Sequence, residues 1–161
     1  MGTSDGDLGD EALFGQLYPA LRRFAAVVKP AEVDTDDLVQ EALVRALTVG
    51  PLSQYEDPGA YLRRTIVNLA SNARRRSGRA RRAFRKLLVS EQAGTSFPSD
   101  LEDLRRLRPA DRAAVYLAAV EGQPHAVIAE TLGCSEAAAR NRVSRGLRRL
   151  RADLGQELRD G

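Results

Sequence analysis

Tyr61, Arg64, Asn68, Asn72 and Arg75 recur at three- and four-residue spacing within Asp57–Arg76, DPGAYLRRTIVNLASNARRR. On a helix these side chains share one face. An aromatic ring can stack on a base, amides can read base edges, and guanidiniums can hold phosphate. A nucleic-acid surface is one reading of that face. A solvated polar face on an ordinary amphipathic helix is the other. Few other residues offer chemistry. The single His125 and single Cys134 make neither a zinc set nor a disulfide. Asp34, Asp36 and Asp37 could suggest Mg²⁺, but a capped helix start accounts for them without a metal. There is no glycine-rich phosphate loop and no Ser-His-Asp set. The expectation is a protein that is not an enzyme and carries no cofactor or metal.

The elements that position these residues read as helices. Asp57 can cap the helix that holds the polar face, and Pro58 suits its first position, where its missing N–H would be unpaired anyway. Leu62, Ile66, Leu69 and Ala73 supply the apolar face. Upstream, Leu13, Leu17, Leu21, Phe24 and Val28 predict a helix over Glu11 to Val28, ended by Pro30. Asp34 or Thr35 then caps a second helix, DTDDLVQEALVRALTVG, stopped at Gly50-Pro51. Its broad buried face is expected to hold Leu38, Ala42 and Ala46 beside Val39, Leu43 and Leu47, with Asp37, Gln40, Glu41 and Arg45 outward. Residues 1–10, rich in Gly and Asp, are expected to be disordered. These three helices form a first module over residues 11–86, in which SGRARRAFRK continues the third helix or begins a short fourth.

Residues 87–100 read as a flexible linker, small and polar and broken by Gly94 and Pro98. A second module spans residues 101–155, followed by a tail over 156–161. Leu101, Leu104 and Leu107 mark a short turn, Pro109 opens a helix that stops at Gly122, and Pro124 opens HAVIAETLG. The turn Gly133-Cys134-Ser135 leads into a long helix from Glu136 to about Leu154, with Ser135 placed to cap it. A short helix, a Gly-containing turn and a second helix rich in outward Arg is the helix-turn-helix signature. The fold expected is all-α, two small helical domains joined by a flexible linker.

Charge agrees with that division. The net charge is only +3, but residues 1–41 hold nine acidic and three basic side chains, whereas residues 60–86 hold ten basic and none acidic. Residues 138–151 add six arginines and no acid. Two basic blocks suggest a polyanion engaged at two places. No apolar run reaches membrane-spanning length and no signal peptide opens the chain, so a cytoplasmic protein is expected.

In this order and spacing, three segments resemble the extracytoplasmic-function sigma factors of bacterial RNA polymerase, from about Glu11 to Leu154. DTDDLVQEALVRA is similar to the part of region two that docks on the polymerase β′ clamp. The resemblance implies that Asp37, Leu38, Gln40, Glu41 and Arg45 bind polymerase. YLRRTIVNLASNARRR is similar to the part that melts and reads the minus-ten element. It implies that Tyr55, Tyr61, Arg64, Asn68, Asn72, Arg75 and Arg76 touch the separated strand, Tyr55 helping to enclose a flipped base, with further phosphate contacts from Arg74, Arg79, Arg81 and Arg82. Losing the stacking of a flipped base costs a few kcal/mol, which an aromatic-and-amide pocket returns. RLRPADRAAVYLAAVEGQPHAVIAETLGCSEAAARNRVSRGLRRLR resembles region four, which enters the minus-thirty-five major groove. It implies contacts from Ser135, Ala137, Ala138, Arg140, Asn141, Ser144 and Arg145, with Arg140 and Asn141 at base edges and Arg148, Arg149 and Arg151 at phosphate or the β flap.

Implied partners are core RNA polymerase, through its β′ clamp and β flap, promoter DNA, and an anti-sigma protein. The sequence departs from the family pattern where Tyr61 stands for a frequent Trp, Asn72 for a common Asp, Pro124-His125 for a usual Ser-Tyr, and Ala138 for a usual Thr. An alternative is a conventional helix-turn-helix regulator with an N-terminal sensing or dimerising bundle. It accounts for the second module equally well, but not for the polar stripe and arginine run of the third helix. A resolvase-like enzyme would need a catalytic domain that the first 90 residues do not supply.

Overall fold

The computed structural model describes residues 5–87 and 107–160. Among these the regular elements are six α-helices and one 3₁₀ turn, with no strand. Helix α1 runs over Asp5–Val28. It begins earlier than expected, so residues 5–10 are its first turns rather than disorder, and the expectation for residues 1–4 lies outside the described residues. The reason is a long-range contact. The Asp10 carboxylate accepts the backbone N–H groups of Leu52 and Ser53 at 3.0 and 3.2 Å, bringing the start of α1 onto the 3₁₀ turn Leu52–Gln54. Such a bond cannot be seen in local periodicity.

Helix α2 spans Thr35–Val49, and Asp34 caps it by accepting from the N–H groups of Asp36 and Asp37. Helix α3 spans Pro58–Leu87, capped by Asp57, which accepts from Ala60 N–H at 2.9 Å. The basic tail therefore continues the third helix. Leu21, Phe24, Val28, Leu38, Val39, Ala42, Leu52, Leu62, Ile66 and Leu69 close the core of this module.

The second module holds α4 (Pro109–Ala119), α5 (His125–Leu132) and α6 (Glu136–Asp160). Gly133 ends α5 in the left-handed conformation, φ 66°, the conformation that glycine adopts without a Cβ clash. Ser135 Oγ accepts from Ala138 N–H at 3.1 Å and starts α6. Helix α6 passes Leu154 and runs to Asp160, so most of the expected tail is helical. The anticipated linker over 87–100 and the turn at Leu101 and Leu104 lie outside the described residues, except for the backbone of Leu87.

The two modules share one apolar core. Ala113, Ala114, Leu117, Ile128, Ala129, Ala139 and Val143 join the cluster formed by α1, α2 and α3. Helix α4 packs on α1 and α3, and α5 packs on α3. Phe24 faces Tyr116 with ring centroids 6.0 Å apart. Arg63 Nη2 pairs with Glu121 Oε1 at 2.9 Å, both side chains about one-fifth exposed. The same guanidinium lies 5.7 Å from the Phe24 ring centroid, where cation–π attraction offsets part of its desolvation. Arg112, almost fully buried, donates from Nη1 to Lys29 O at 3.2 Å.

Candidate nucleic-acid interface

Helix α3 sends its apolar residues inward and leaves Arg64, Asn68, Asn72, Arg75 and Arg76 exposed. Tyr61 is half-buried and meets Tyr55, ring centroids 4.3 Å apart at 42°. Tyr55 is anchored from behind, since its hydroxyl donates to Ala46 O at 2.8 Å. Burial, followed by the hydrogen bond with Tyr61, pushes the Tyr55 phenol above its ordinary pKa. A cleft of about 510 Å³ opens beside this pair, lined also by Asp57, Ala60, Arg64 and Glu130. An aromatic wall and a guanidinium around a space of this size could take a single base. Asn68 and Asn72 continue the face along the helix outside the cleft. Arg64 also lies under the α5–α6 turn, so that a Cβ on Gly133 would come within 2.6 Å of its Nη2. In this arrangement the second module thus covers one end of the face, with Glu130 at the cleft.

On α2, Asp37, Gln40, Glu41 and Arg45 are exposed, and Arg45 pairs with Glu41 at 2.9 Å. Leu38 does not belong with them. It is 5% exposed and packs in the core, because it lies on the stripe that α2 turns toward α1 and α3. Leu47, expected inside, is 45% exposed, and Val44 and Val49 also face outward at 61% and 74%. Val44 stands four residues from Gln40 and three from Glu41, an apolar position inside the polar set. Its sequence signal was the apolar residue at helical spacing within that exposed face.

At the start of α6, Ala137, Arg140, Asn141, Ser144 and Arg145 are exposed and Ala138 is half-buried. Ser135 is exposed, but its hydroxyl is engaged as the cap. Arg140 pairs with Glu136 at 3.3 Å with both side chains more than half exposed, a weak link that a stronger anion can displace. Among the described residues no three His, Cys, Asp or Glu side chains gather as a metal site, and no helix is long and apolar enough to cross a membrane.

Comparison with known proteins bears on both surfaces. Residues 13–80 match Sigma-70 region 2, and residues 103–150 match Sigma-70, region 4. The RNA polymerase sigma factor CarQ of Myxococcus xanthus is 30% identical over 158 residues, covering 91% of this chain and 89% of the relative. The chain belongs to the sigma-70 family of RNA polymerase sigma factors. Its two-region layout is that of the extracytoplasmic-function branch. As an alternative sigma factor it directs transcription initiation, and the region-two match decides against the conventional-regulator reading. A solved sigma factor, RpoE from Bartonella quintana in complex with the anti-sigma factor NepR, shares the fold with a TM-score of 0.69. That match covers 90% of this chain and 96% of RpoE at 23% identity.

Proposed function

We propose that region two of this sigma factor captures the separated promoter strand on α3 while region four reads the upstream element with the start of α6. One observation carries the reading: the Tyr55–Tyr61 pair and Arg64 line an open cleft with room for a base, from which exposed Asn68 and Asn72 continue along an arginine-rich helix. The base enters beside the rings, its amide neighbours read edges, and Arg75 and Arg76 hold phosphate. Asp37, Gln40, Glu41 and Arg45 dock on the polymerase β′ clamp, with Val44 as the apolar contact among them. Interfaces of this kind draw their energy from a few buried apolar anchors inside a polar rim. In region four, Arg140 and Asn141 take base edges, with Ala137, Ala138, Ser144 and Arg145 around them and Ser135 holding the helix start. Arg148, Arg149 and Arg151 face phosphate or the β flap.

Because the α5–α6 turn lies against the Arg64 guanidinium at one end of the α3 face, separation of the two regions would open that end to a strand. Polymerase, offering separate sites to each region, would supply the energy for that separation. An anti-sigma protein would act in the opposite sense by holding the closed arrangement. Support comes from RpoE, whose structure with NepR has this fold over both regions. The work is done in the cytoplasm, where polymerase and chromosome meet, and requires no catalytic group from this chain.

Run-off transcription with purified core polymerase tests the whole reading. Initiation from a promoter by this protein and core alone is expected, and failure to bind core would overturn it.

A further inference from the structure

The seam between regions two and four contains a cleft lined in part by arginines of the α3 DNA face. Arg74, Arg75 and Arg82 of α3 line one wall, and Arg108 and Arg142 of region four line the other, around a volume of about 500 Å³. Among the described residues no carboxylate lines it. Arg142 is held at the edge by Asp111, Nη1 to Oδ1 at 2.8 Å, which fixes the direction of that guanidinium. The start of α4 opens into the same space through Pro109 and Ala110. Its N-cap, Arg108, makes no side-chain capping bond, and Asp111 in the first turn offsets part of the helix dipole there. An adjoining cleft of about 330 Å³ shares Arg74 and Gly78, and there Glu32 supplies negative charge beside Arg81 and Arg112.

We propose that this seam cleft binds a compact polyphosphate anion, such as the phosphate chain of a nucleoside triphosphate or an inorganic oligophosphate. Guanidiniums that converge on one space from two walls attract a multivalent anion more strongly than a monovalent one. Adjacent phosphates suit them because each planar fork can donate two parallel hydrogen bonds to phosphate oxygens. A cleft walled on both sides admits a chain of a few phosphates but no duplex. The two walls come from different regions, so the site exists only while the regions are closed on one another. Occupancy therefore favours the closed arrangement by mass action. Cellular polyphosphate would then set how readily the two regions part.

Calorimetric titration of the full chain at physiological salt tests this, with tripolyphosphate, ATP and orthophosphate as probes. Tripolyphosphate and ATP are expected to bind with one-to-one stoichiometry, and orthophosphate far more weakly. Arg108→Ala, at an exposed position without a capping role, is expected to weaken tripolyphosphate about tenfold, the loss of one charge-assisted contact. Circular dichroism checks that this variant is folded, and Arg82→Ala, from the opposite wall, is expected to show the same loss. ATP binding tighter than tripolyphosphate would assign a nucleotide, and equal affinities the phosphate chain alone. Tripolyphosphate bound equally well by wild type and both variants would overturn the proposal. So would orthophosphate binding as tightly as tripolyphosphate, or binding of single-stranded DNA with none of tripolyphosphate. The titration contains neither polymerase nor promoter, so its result is independent of the promoter-reading assignment.

Discussion

At Asn68 the side chain has little structural duty beyond the surface, whereas Tyr61 also packs against the core from its half-buried place. Asn68 is exposed, and Tyr61 meets Tyr55 through its ring. Tyr61→Ala and Asn68→Ala are therefore expected to reduce open-complex formation, read by permanganate reactivity of the melted strand, more than duplex binding. Loss of about 1–3 kcal/mol is the scale of one base–aromatic contact. Equal loss in both measurements would count against base capture. Asp10 is the opposite kind of residue. Its carboxylate satisfies two backbone donors near the floor of the bundle, so Asp10→Ala should cost about 1–3 kcal/mol in urea unfolding. Asp36 contributes with a pH signature. The Tyr18 hydroxyl and then Arg22 donate to it and hold its carboxyl below the ordinary value of 3.8. A folded-state pKa below the unfolded one means that the unfolded chain binds the proton more readily. The contribution is therefore complete above the ordinary carboxylate range and is lost as pH falls through the folded value. Glu32 behaves alike, lowered by Ser77 first and then by its own backbone, with Arg81 and Lys29 adding attraction. Thermal midpoints between pH 7 and pH 3 should show wild type losing its advantage over Asp36→Asn as the pH drops. A constant difference across that range would refute the pairing.

Among the elements, the crossing of α4 and α6 is the tightest to test. Gly146 is buried where the two helices meet, and a Cβ there would overlap Val115 Cγ2. Alanine would raise helix propensity by about 1 kcal/mol, yet overpacking a buried contact costs about 1–3 kcal/mol. The clash is expected to win, and Gly146→Ala should lower the thermal midpoint. The α5–α6 turn offers a second case with a different cause. Gly133 at φ 66° is in the left-handed region, and a Cβ adds about 1–2 kcal/mol of strain there. It would also press on Arg64, although the end of that long side chain can move aside. The short α2 helix illustrates how partial an amphipathic reading is. Leu38 and Leu47 are both apolar at helical spacing, yet one is buried and the other faces outward. Spacing defines a stripe, and the neighbouring helices decide how wide a part of it they cover.

For the whole molecule, the decisive contact is between regions. Arg63 and Glu121 form a partly buried pair across the seam, and Arg63 Nε is buried with no hydrogen-bond partner among the described residues. Removing Glu121 leaves the guanidinium poorly compensated. Glu121→Ala is expected to increase the radius of gyration in solution scattering, as the regions part more often. The amino-acid sequence by itself determined the helices, most of their caps, the two-module order and the chemistry of the exposed faces. These follow from short-range rules: Asp34, Asp57 and Ser135 cap the helices that begin beside them, and apolar residues recur every three or four positions. The tertiary structure alone decided that α1 reaches back to Asp5, that Leu38 is inaccessible, that Arg64 lies under Gly133 and that five arginines from both regions line one cleft. Each depends on residues tens of positions apart, whose meeting is set by how helices pack rather than by any local pattern. The polar face from Tyr61 to Arg75 was legible as a pattern on one helix. Its partial cover by region four was not, because that cover belongs to a different stretch of chain.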